Sequence, residues 1–436
     1  MSKPLLAVFL AGAAACGDGG SDPSPDAGVA LAVAEAPALP PVAKCKPKQL
    51  AADPAWFGTN RTDLMAWLAT AGCASPGYSP AHKPVALFDW DNTISKNDFG
   101  DAFTFYLIAH DKVRQPPNQD WKQTSAYMTD AAAAALTAAC GTSVAAGDPL
   151  PTSTNTACAD EMLSIYVDGV TSGGQAAFAG WNYRWVEPTY AWTAQLAAGY
   201  THAELQQFAA DAINPQLGAA QGAVQTVGTK SLNGWLRIYD QIKDLIAVAQ
   251  SEGYDTWIIT ASPQDVIQTF SPLVGIAPDH VIGIRSLTDG AGKVTYHFEG
   301  CGTVADDTGA MIPYIEGKRC WVNKVVFGDT SASAMLKRLD GERQVFAAGD
   351  SDTDIEFLRD ASYRLVINRQ KKELMCNAYY NEHDRWRVNP MFIAPKSAGS
   401  PYSCAASACK NEQGVSGACR DLGSNIIPNQ DDTVHP

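Results

Sequence analysis

Short apolar runs that close on polar residues recur along the chain, each followed by an amphipathic stretch. The first is Val85-Ala-Leu-Phe-Asp-Trp, and behind it Phe99, Phe103, Tyr106 and Leu107 fall at helical spacing up to about His110. Tyr254 to Thr260 repeats the pattern, closing on Trp257-Ile-Ile-Thr, and a helix is expected from about Pro263 to Phe270. Gln344-Val-Phe-Ala-Ala-Gly-Asp repeats it again with Ile355 to Leu358 after it, and Arg364-Leu-Val-Ile-Asn adds a further strand. An apolar run without polar alternation is a strand covered on both faces, as in a parallel sheet. The expected fold is α/β: a doubly wound parallel sheet with its site at the carboxyl ends of the strands.

Between His110 and about Leu236 the texture becomes Ala-rich, as in Ala131 to Ala139 and Ala203 to Ala212, so a helical insertion is expected there. It also carries an aromatic run: Trp181, Tyr183, Trp185, Tyr190 and Trp192. From about Lys396 the periodicity fades into Ser- and Cys-containing loop sequence. The division expected from these textures is a core of residues 45–110 and 237–395, a helical cap of residues 111–236 and a disulfide-stapled tail of residues 396–436.

The start of the chain reads as an address. Lys3, the apolar stretch Leu5 to Ala15 and the small residues Ala13-Ala14-Ala15 have the form of a signal peptide, residues 1–15. Ala13-Ala14-Ala15-Cys16 resembles a bacterial lipobox, with Ala13 departing from the usual Leu, so Cys16 is expected to carry a lipid anchor in the cell envelope. The alternative is plain cleavage and release to the periplasm or medium. Residues 17–44, rich in Gly, Ser, Asp, Pro and Ala, complete a flexible tether of residues 16–44.

Of the 11 Cys, Cys16 leaves ten, an even number that suits an oxidising compartment. Near neighbours suggest the pairs Cys45–Cys73, Cys140–Cys158, Cys301–Cys320 and Cys409–Cys419, with Cys376–Cys404 as the fifth. A net charge of −14 without any run of Lys or Arg excludes a nucleic-acid binder. The expected partner is a small molecule, with membrane contact only through the anchor.

Candidate chemistry sits at the strand ends. Asp89-Trp90-Asp91-Asn92-Thr93 places two carboxylates just past a buried strand. One is a competent nucleophile toward phosphorus once a cation offsets charge repulsion, and the other can protonate a leaving oxygen. Gly349-Asp350-Ser351-Asp352-Thr353-Asp354 follows another strand, and Asp350 and Asp354 are hard oxygen ligands suited to Mg2+.

These motifs resemble those of the haloacid dehalogenase superfamily, in which phosphatases predominate. The DxDxT motif is matched by Asp89, Asp91 and Thr93, and the GDxxxD motif by Asp350 and Asp354. The Ser or Thr that closes a strand is matched by Thr260, with Ser262 as the alternative. The single Lys near a helix start is matched by Lys324, Lys318 reading as too early and Lys337 as too deep in a helix. The resemblance covers about residues 84–370 and implies the Rossmann-like core of that family with a helical cap. It further implies Asp89 as nucleophile, Asp91 as acid and base, and Mg2+ held by the Asp89 carboxylate, the Asp91 carbonyl and Asp350, with Asp354 orienting them. Thr93, Thr260, Ser262 and Lys324 would face the phosphoryl group.

For the substrate, Asp98 lies nine residues after Asp89, where phosphoserine phosphatase-like members carry an acid facing the substrate amine. Tyr183 and Trp185 offer faces for a quaternary ammonium. Together with export, these features resemble secreted phosphorylcholine phosphatases. Asp98 as a helix cap and the rings as core are the structural alternative, and a phosphoserine-like or broad phosphatase, or a non-catalytic binder of choline compounds or sugars, the functional ones.

Overall fold

The structure is a computed structural model that describes residues 45–436. The expected signal peptide, the Cys16 anchor and the tether lie outside the described residues. Six strands form the central sheet: β1 (Val85–Phe88), β2 (Asp255–Pro263), β3 (Val281–Ile284), β4 (Phe346–Gly349), β5 (Tyr363–Asn368) and β6 (Trp386–Pro390). Their order is β6-β5-β4-β1-β2-β3 and every pairing is parallel. The doubly wound parallel α/β sheet expected from the apolar runs is therefore present.

Both faces of the sheet are covered. Along β1, Ala86 and Phe88 join one hydrophobic cluster with Ile258, Phe346 and Leu365, while Val85 and Leu87 join another with Ile259, Ala347 and Val366. All four β1 residues are buried, which is why the run shows no polar alternation. The two edge strands β3 and β6 had no counterpart among the expected elements. Gly283 interrupts the apolar run in β3, and a Cβ there would sit 2.8 Å from the Ser262 carbonyl oxygen, so glycine permits the close approach. β6 carries Arg387 and ends on Pro390, a composition that an edge position tolerates.

Between β1 and β2 lie the helices Phe99–Ala109, Asp130–Cys140, Thr156–Leu163, Pro188–Leu196, His202–Gly218 and Asp240–Ser251. Leu136, Met162, Trp192 and Ile213 of this segment share a hydrophobic cluster with Phe88 and Ile258 of the sheet. Residues 396–436 are mostly loop, with one short antiparallel pair, Cys409–Lys410 with Ser416–Gly417. None of the described helices is long and apolar enough to cross a membrane.

The five disulfides are Cys45–Cys73, Cys140–Cys158, Cys301–Cys320, Cys376–Cys404 and Cys409–Cys419, the pairs suggested by sequence proximity. Cys376–Cys404 joins the helix Lys372–Tyr380 to the tail and closes a span of 28 residues. In the chain-entropy picture, a loop of that size constrains the unfolded state by ~3 to 4 kcal/mol. The double variant Cys376→Ser, Cys404→Ser should lose about that much stability in chemical denaturation. A loss below ~1 kcal/mol would show that this bridge constrains little.

Candidate active site

The site lies where the strand order reverses. β1 is flanked by β4 and β2, and the chain runs outward from it in opposite directions, which leaves a cleft at the carboxyl ends of β1 and β4. Phe88 pairs with Ala348 and Ile258, so Asp89, Gly349-Asp350 and Ile259-Thr260 emerge side by side. The Asp89 amide donates to the Ala348 carbonyl at 3.0 Å, holding the carboxylate at the mouth of the sheet. Gly349 is required here: a Cβ would lie 2.7 to 2.9 Å from the side chain of Asp354, which folds back over it.

Four groups surround the Asp89 carboxylate. Lys318 Nζ donates to its Oδ1 at 2.6 Å and to Asp354 Oδ1 at 2.6 Å, and Thr93 Oγ1 lies 3.1 Å from Oδ2 and 2.8 Å from Asp350 Oδ1. Asp354 Oδ2 accepts the amides of Asp350 and Ser351, and Arg369 Nη1 donates to Asp350 Oδ2 at 2.6 Å. Asp91 points elsewhere. Its Oδ1 accepts the Phe99 amide at 2.7 Å, at the start of the helix Phe99–Ala109, and its Oδ2 accepts Ser262 Oγ at 2.6 Å. Gly100 makes room for that hydroxyl, since a Cβ would approach it to 2.7 Å. Thr260 Oγ1 accepts the Ser262 amide at 3.1 Å, which leaves its own proton for another acceptor.

A cavity of about 80 Å³ opens over this floor, bounded by Asp89, Asp91, Thr260 and Ser262 below and by Asp98, Asp101, Tyr166, Tyr190, Arg369 and Lys371 around it. Drug-sized sites run to several hundred Å³, so this one admits a small molecule. Burial pushes the carboxyls of Asp89 and Asp91 well above the usual carboxylate range, with Asp354 adding to the first and Asp98 to the second. Asp101 is pushed up to about 7 by burial and by Asp98, against the Tyr166 hydroxyl that donates to it at 2.7 Å. Lys318 is held above its ordinary value by Asp354 and Asp89 despite complete burial.

Of the expected site residues, Asp89, Asp91, Thr93, Asp98, Thr260, Ser262, Asp350 and Asp354 are brought together. Lys324 is not. The helix Glu316–Val325 begins earlier than the motif assignment assumed, so Lys318 is in its first turn and Lys324 in its last. Lys324 instead donates to the Gly300 carbonyl at 2.8 Å and lies over the Trp321 ring. Tyr183 and Trp185 also lie outside the cavity: the Tyr183 ring packs under Lys410 and edge-on to Tyr314, and Trp185 Nε1 donates to Glu316. The run is helical only from Pro188, which turns Tyr190 toward the cleft and leaves the two earlier rings against the core. Asp98 caps the helix Phe99–Ala109, its Oδ1 accepting the Asp101 amide at 3.0 Å, and it also borders the cavity. Arg369, Asp101 and Tyr166 were missed as site residues, while Tyr190, which lines the cavity, was signalled as a member of the aromatic run.

Asp89, Asp350 and Asp354 are all buried, and one carboxylate oxygen from each lies within 4.8 Å of the others. That donor set is hard oxygen, and its direct cationic partners are Lys318 and Arg369, so the residues fit a Mg2+ ion. The Asp91 carboxylate, engaged by Ser262 and Phe99, is not part of the cluster.

Fold and site together define a doubly wound α/β protein with an acidic centre at its topological switch point. No family model matches the chain, and no curated protein matches it. Among solved structures, a conserved, functionally unknown protein from Anaerococcus prevotii DSM 20548 is 17% identical, covers 80% of this chain and 94% of its own, and superposes with a TM-score of 0.55, a likeness of fold. A protein of unknown function from Bordetella pertussis Tohama I is 15% identical over 71% of this chain and 100% of its own, with a TM-score of 0.40. A substrate-bound phosphoserine phosphatase is 9% identical over 66% of this chain and 86% of its own, with a TM-score of 0.30. Superpositions as loose as these last two carry no argument about chemistry.

The two lysines should separate in a stability measurement. Lys318→Met strands two buried carboxylates and is expected to cost ~3 to 5 kcal/mol in chemical denaturation in the presence of chelator. Lys324→Met loses a part-exposed contact and should cost under ~1 kcal/mol. Equal losses would contradict the placement of Lys318.

Proposed function

We propose that the chain is a phosphomonoesterase of the haloacid dehalogenase type, acting on a small substrate through an aspartyl-phosphate intermediate. The observation that carries this reading is the Asp89 carboxylate on the floor of a small cavity, flanked by a buried ammonium and the Thr93 hydroxyl, with a second carboxylate two residues on. Asp89 attacks phosphorus, the bond to the leaving oxygen breaks, and Asp91 hands that oxygen a proton. Asp91 then takes a proton from the water that cleaves the acyl phosphate. Ser262 and the Phe99 amide hold Asp91 in line for both transfers. Lys318 offsets charge at Asp89, and the free Thr260 proton meets a phosphoryl oxygen. Mg2+ held by Asp89, Asp350 and Asp354, with the Asp91 carbonyl, would lower the repulsion between nucleophile and phosphate.

The leaving group faces Asp98, Asp101 and the rings of Tyr166 and Tyr190, surroundings that favour a cation. The substrate class is therefore an amine-bearing phosphomonoester, with phosphorylcholine as the leading candidate. Arg369 and Lys371 on the same wall favour a second reading, a leaving group that also bears a carboxylate, as in phosphoserine. The helices between β1 and β2 act as the cap, supplying Tyr166, Tyr190 and Thr193 to the cavity. Export fits five disulfides in one chain, and a lipid anchor at Cys16 remains part of this proposal.

Asp89→Asn should keep the fold and lose phosphomonoester hydrolysis by at least ~10³-fold, because an amide cannot form the acyl phosphate. Chelation should silence the wild type and Mg2+ restore it. Turnover by Asp89→Asn near the wild-type rate would exclude the assigned nucleophile.

Specificity is read by comparing phosphorylcholine, phosphoserine and glycerol phosphate. Asp98→Asn should reduce kcat/KM for the cationic substrates by ~1 to 3 kcal/mol more than for the neutral one. Equal losses on all three would make Asp98 a helix cap and nothing more.

A further inference from the structure

Arg184 does not line the cavity, yet it joins three helices that start beside groups of the acidic centre. Its side chain is only 8% exposed. Nη1 donates to Glu373 Oε1 at 2.7 Å and Nη2 to Glu356 Oε1 at 2.9 Å, and Nε lies 3.5 Å from Glu316 Oε1. Each of those carboxylates stands in the first turn of a helix. Glu316 opens the helix that carries Lys318, Glu356 the short helix that follows Asp354, and Glu373 the helix Lys372–Tyr380 that follows Arg369. One guanidinium thus holds the starts of three segments, each within four residues of a group at the acidic centre.

The backbone at the same place points the same way. Ile315, just before the Lys318 helix, has φ 47° and ψ −105°, a positive-φ conformation that a β-branched residue adopts only when its surroundings impose it. Its amide donates to the Thr353 carbonyl, next to Asp354, and the following amide, Glu316, donates to the Arg184 carbonyl, both at 3.0 Å. The distance between Lys318 and Asp354 therefore depends on a strained turn fixed from two sides, one of them Arg184. Asp89 is fixed independently, by the sheet. A shift of the Lys318 helix by about 1 Å would break one of the two 2.6 Å contacts of Lys318, and displacements of that size cost catalysis on the order of 10²-fold.

We propose that Arg184 is a positioning residue for the acidic centre: by forking across Glu316, Glu356 and Glu373 it sets the gap that Lys318 spans between Asp89 and Asp354. The consequence for catalysis rests on the phosphatase reading above; the consequence for geometry does not. A guanidinium spreads five N–H donors over three nitrogens and so reaches carboxylates on separate sides, whereas an ammonium gathers three donors on one nitrogen, so lysine is a partial substitute.

The test uses the whole chain with Mg2+ and p-nitrophenyl phosphate. Arg184→Gln should lower kcat by about 10²-fold with KM within about threefold, and Arg184→Lys should recover part of the loss. Arg387→Gln, which removes partners of Asp63 and Asp384 on the edge strand, is the control and should leave kcat unchanged. Because Arg184→Gln leaves buried carboxylates unpaired, the double variant Arg184→Gln, Glu373→Gln is made alongside it. Stability should return in the double variant while kcat stays low. If kcat returns with stability, Arg184 is structural only and the proposal is overturned. Hydrogen exchange under folding conditions gives the second readout: amides of residues 315–320 and 352–356 should exchange faster in Arg184→Gln, with residues 85–88 unchanged. Unchanged exchange in the first two segments also overturns it. If the wild type hydrolyses no phosphomonoester, the phosphatase reading fails, and the exchange measurement alone decides the clamp.

Discussion

Three carboxylates cannot be buried within reach of one another unless cations hold them there, and a buried ammonium has no place without carboxylates. Lys318 meets both conditions at once. It is fully buried, bridges Asp89 to Asp354, and donates its third bond to the Ile259 carbonyl within β2. Three pieces of chain remote in sequence are therefore registered against one another by one nitrogen atom. The arrangement is stiff because each partner is itself engaged: Asp354 by two amides, Asp350 by Thr93 and Arg369, and Asp89 by the sheet. Burial nonetheless drives Asp89 and Asp350 upward, so the protein's own cations do not fully balance the centre.

How far this was legible in the sequence follows from where each signal resides. Strands β1, β2, β4 and β5 are apolar on both faces, so their residues carry the burial signature alone. The acidic motifs follow those strands within one or two positions, and local spacing is enough to find them. Lys318 is a different kind of residue, since its identity as partner of Asp89 is set by where a helix begins. That start is the strained Ile315, whose conformation is dictated by Thr353 and Arg184 from distant segments and leaves no mark on local propensity. Tyr183 and Trp185 failed for a related reason. An aromatic run read as one periodic face is broken at Pro188, so the rings on either side of it face different environments. Four of the disulfides, by contrast, join near neighbours in sequence, and Cys376–Cys404 follows as the pair left over.

The inserted segment contributes to the centre in two ways that differ in kind. Tyr166, Tyr190 and Thr193 line the cavity directly. Arg184, from the same segment, acts behind the floor, on helices of the core. The tail joins at that point too: the Lys410 carbonyl accepts from Arg184, and the Glu412 carbonyl accepts the Tyr183 amide. Cys376–Cys404 and Cys409–Cys419 hold this part of the tail in place.

A division of labour follows from the topology. The strand ends of β1, β2 and β4 present short side chains at fixed distances, which under the proposed phosphatase reading would suit a compact, highly charged phosphoryl group whose geometry does not vary between esters. Selection among leaving groups needs longer reach and tolerance of different shapes, and those side chains come from helices and loops laid over the cleft. Asp98 stands at the joint between the two. It caps the first helix after β1, and its carboxylate borders the cavity while raising the carboxyls of Asp91 and Asp101 on either side. The negative charge that would attract a cationic leaving group is thus wired to the acid that would release it. A cation seated against Asp98 and Asp101 would relieve that repulsion as it binds, and in doing so would shift the proton balance of Asp91 at the moment its proton is needed.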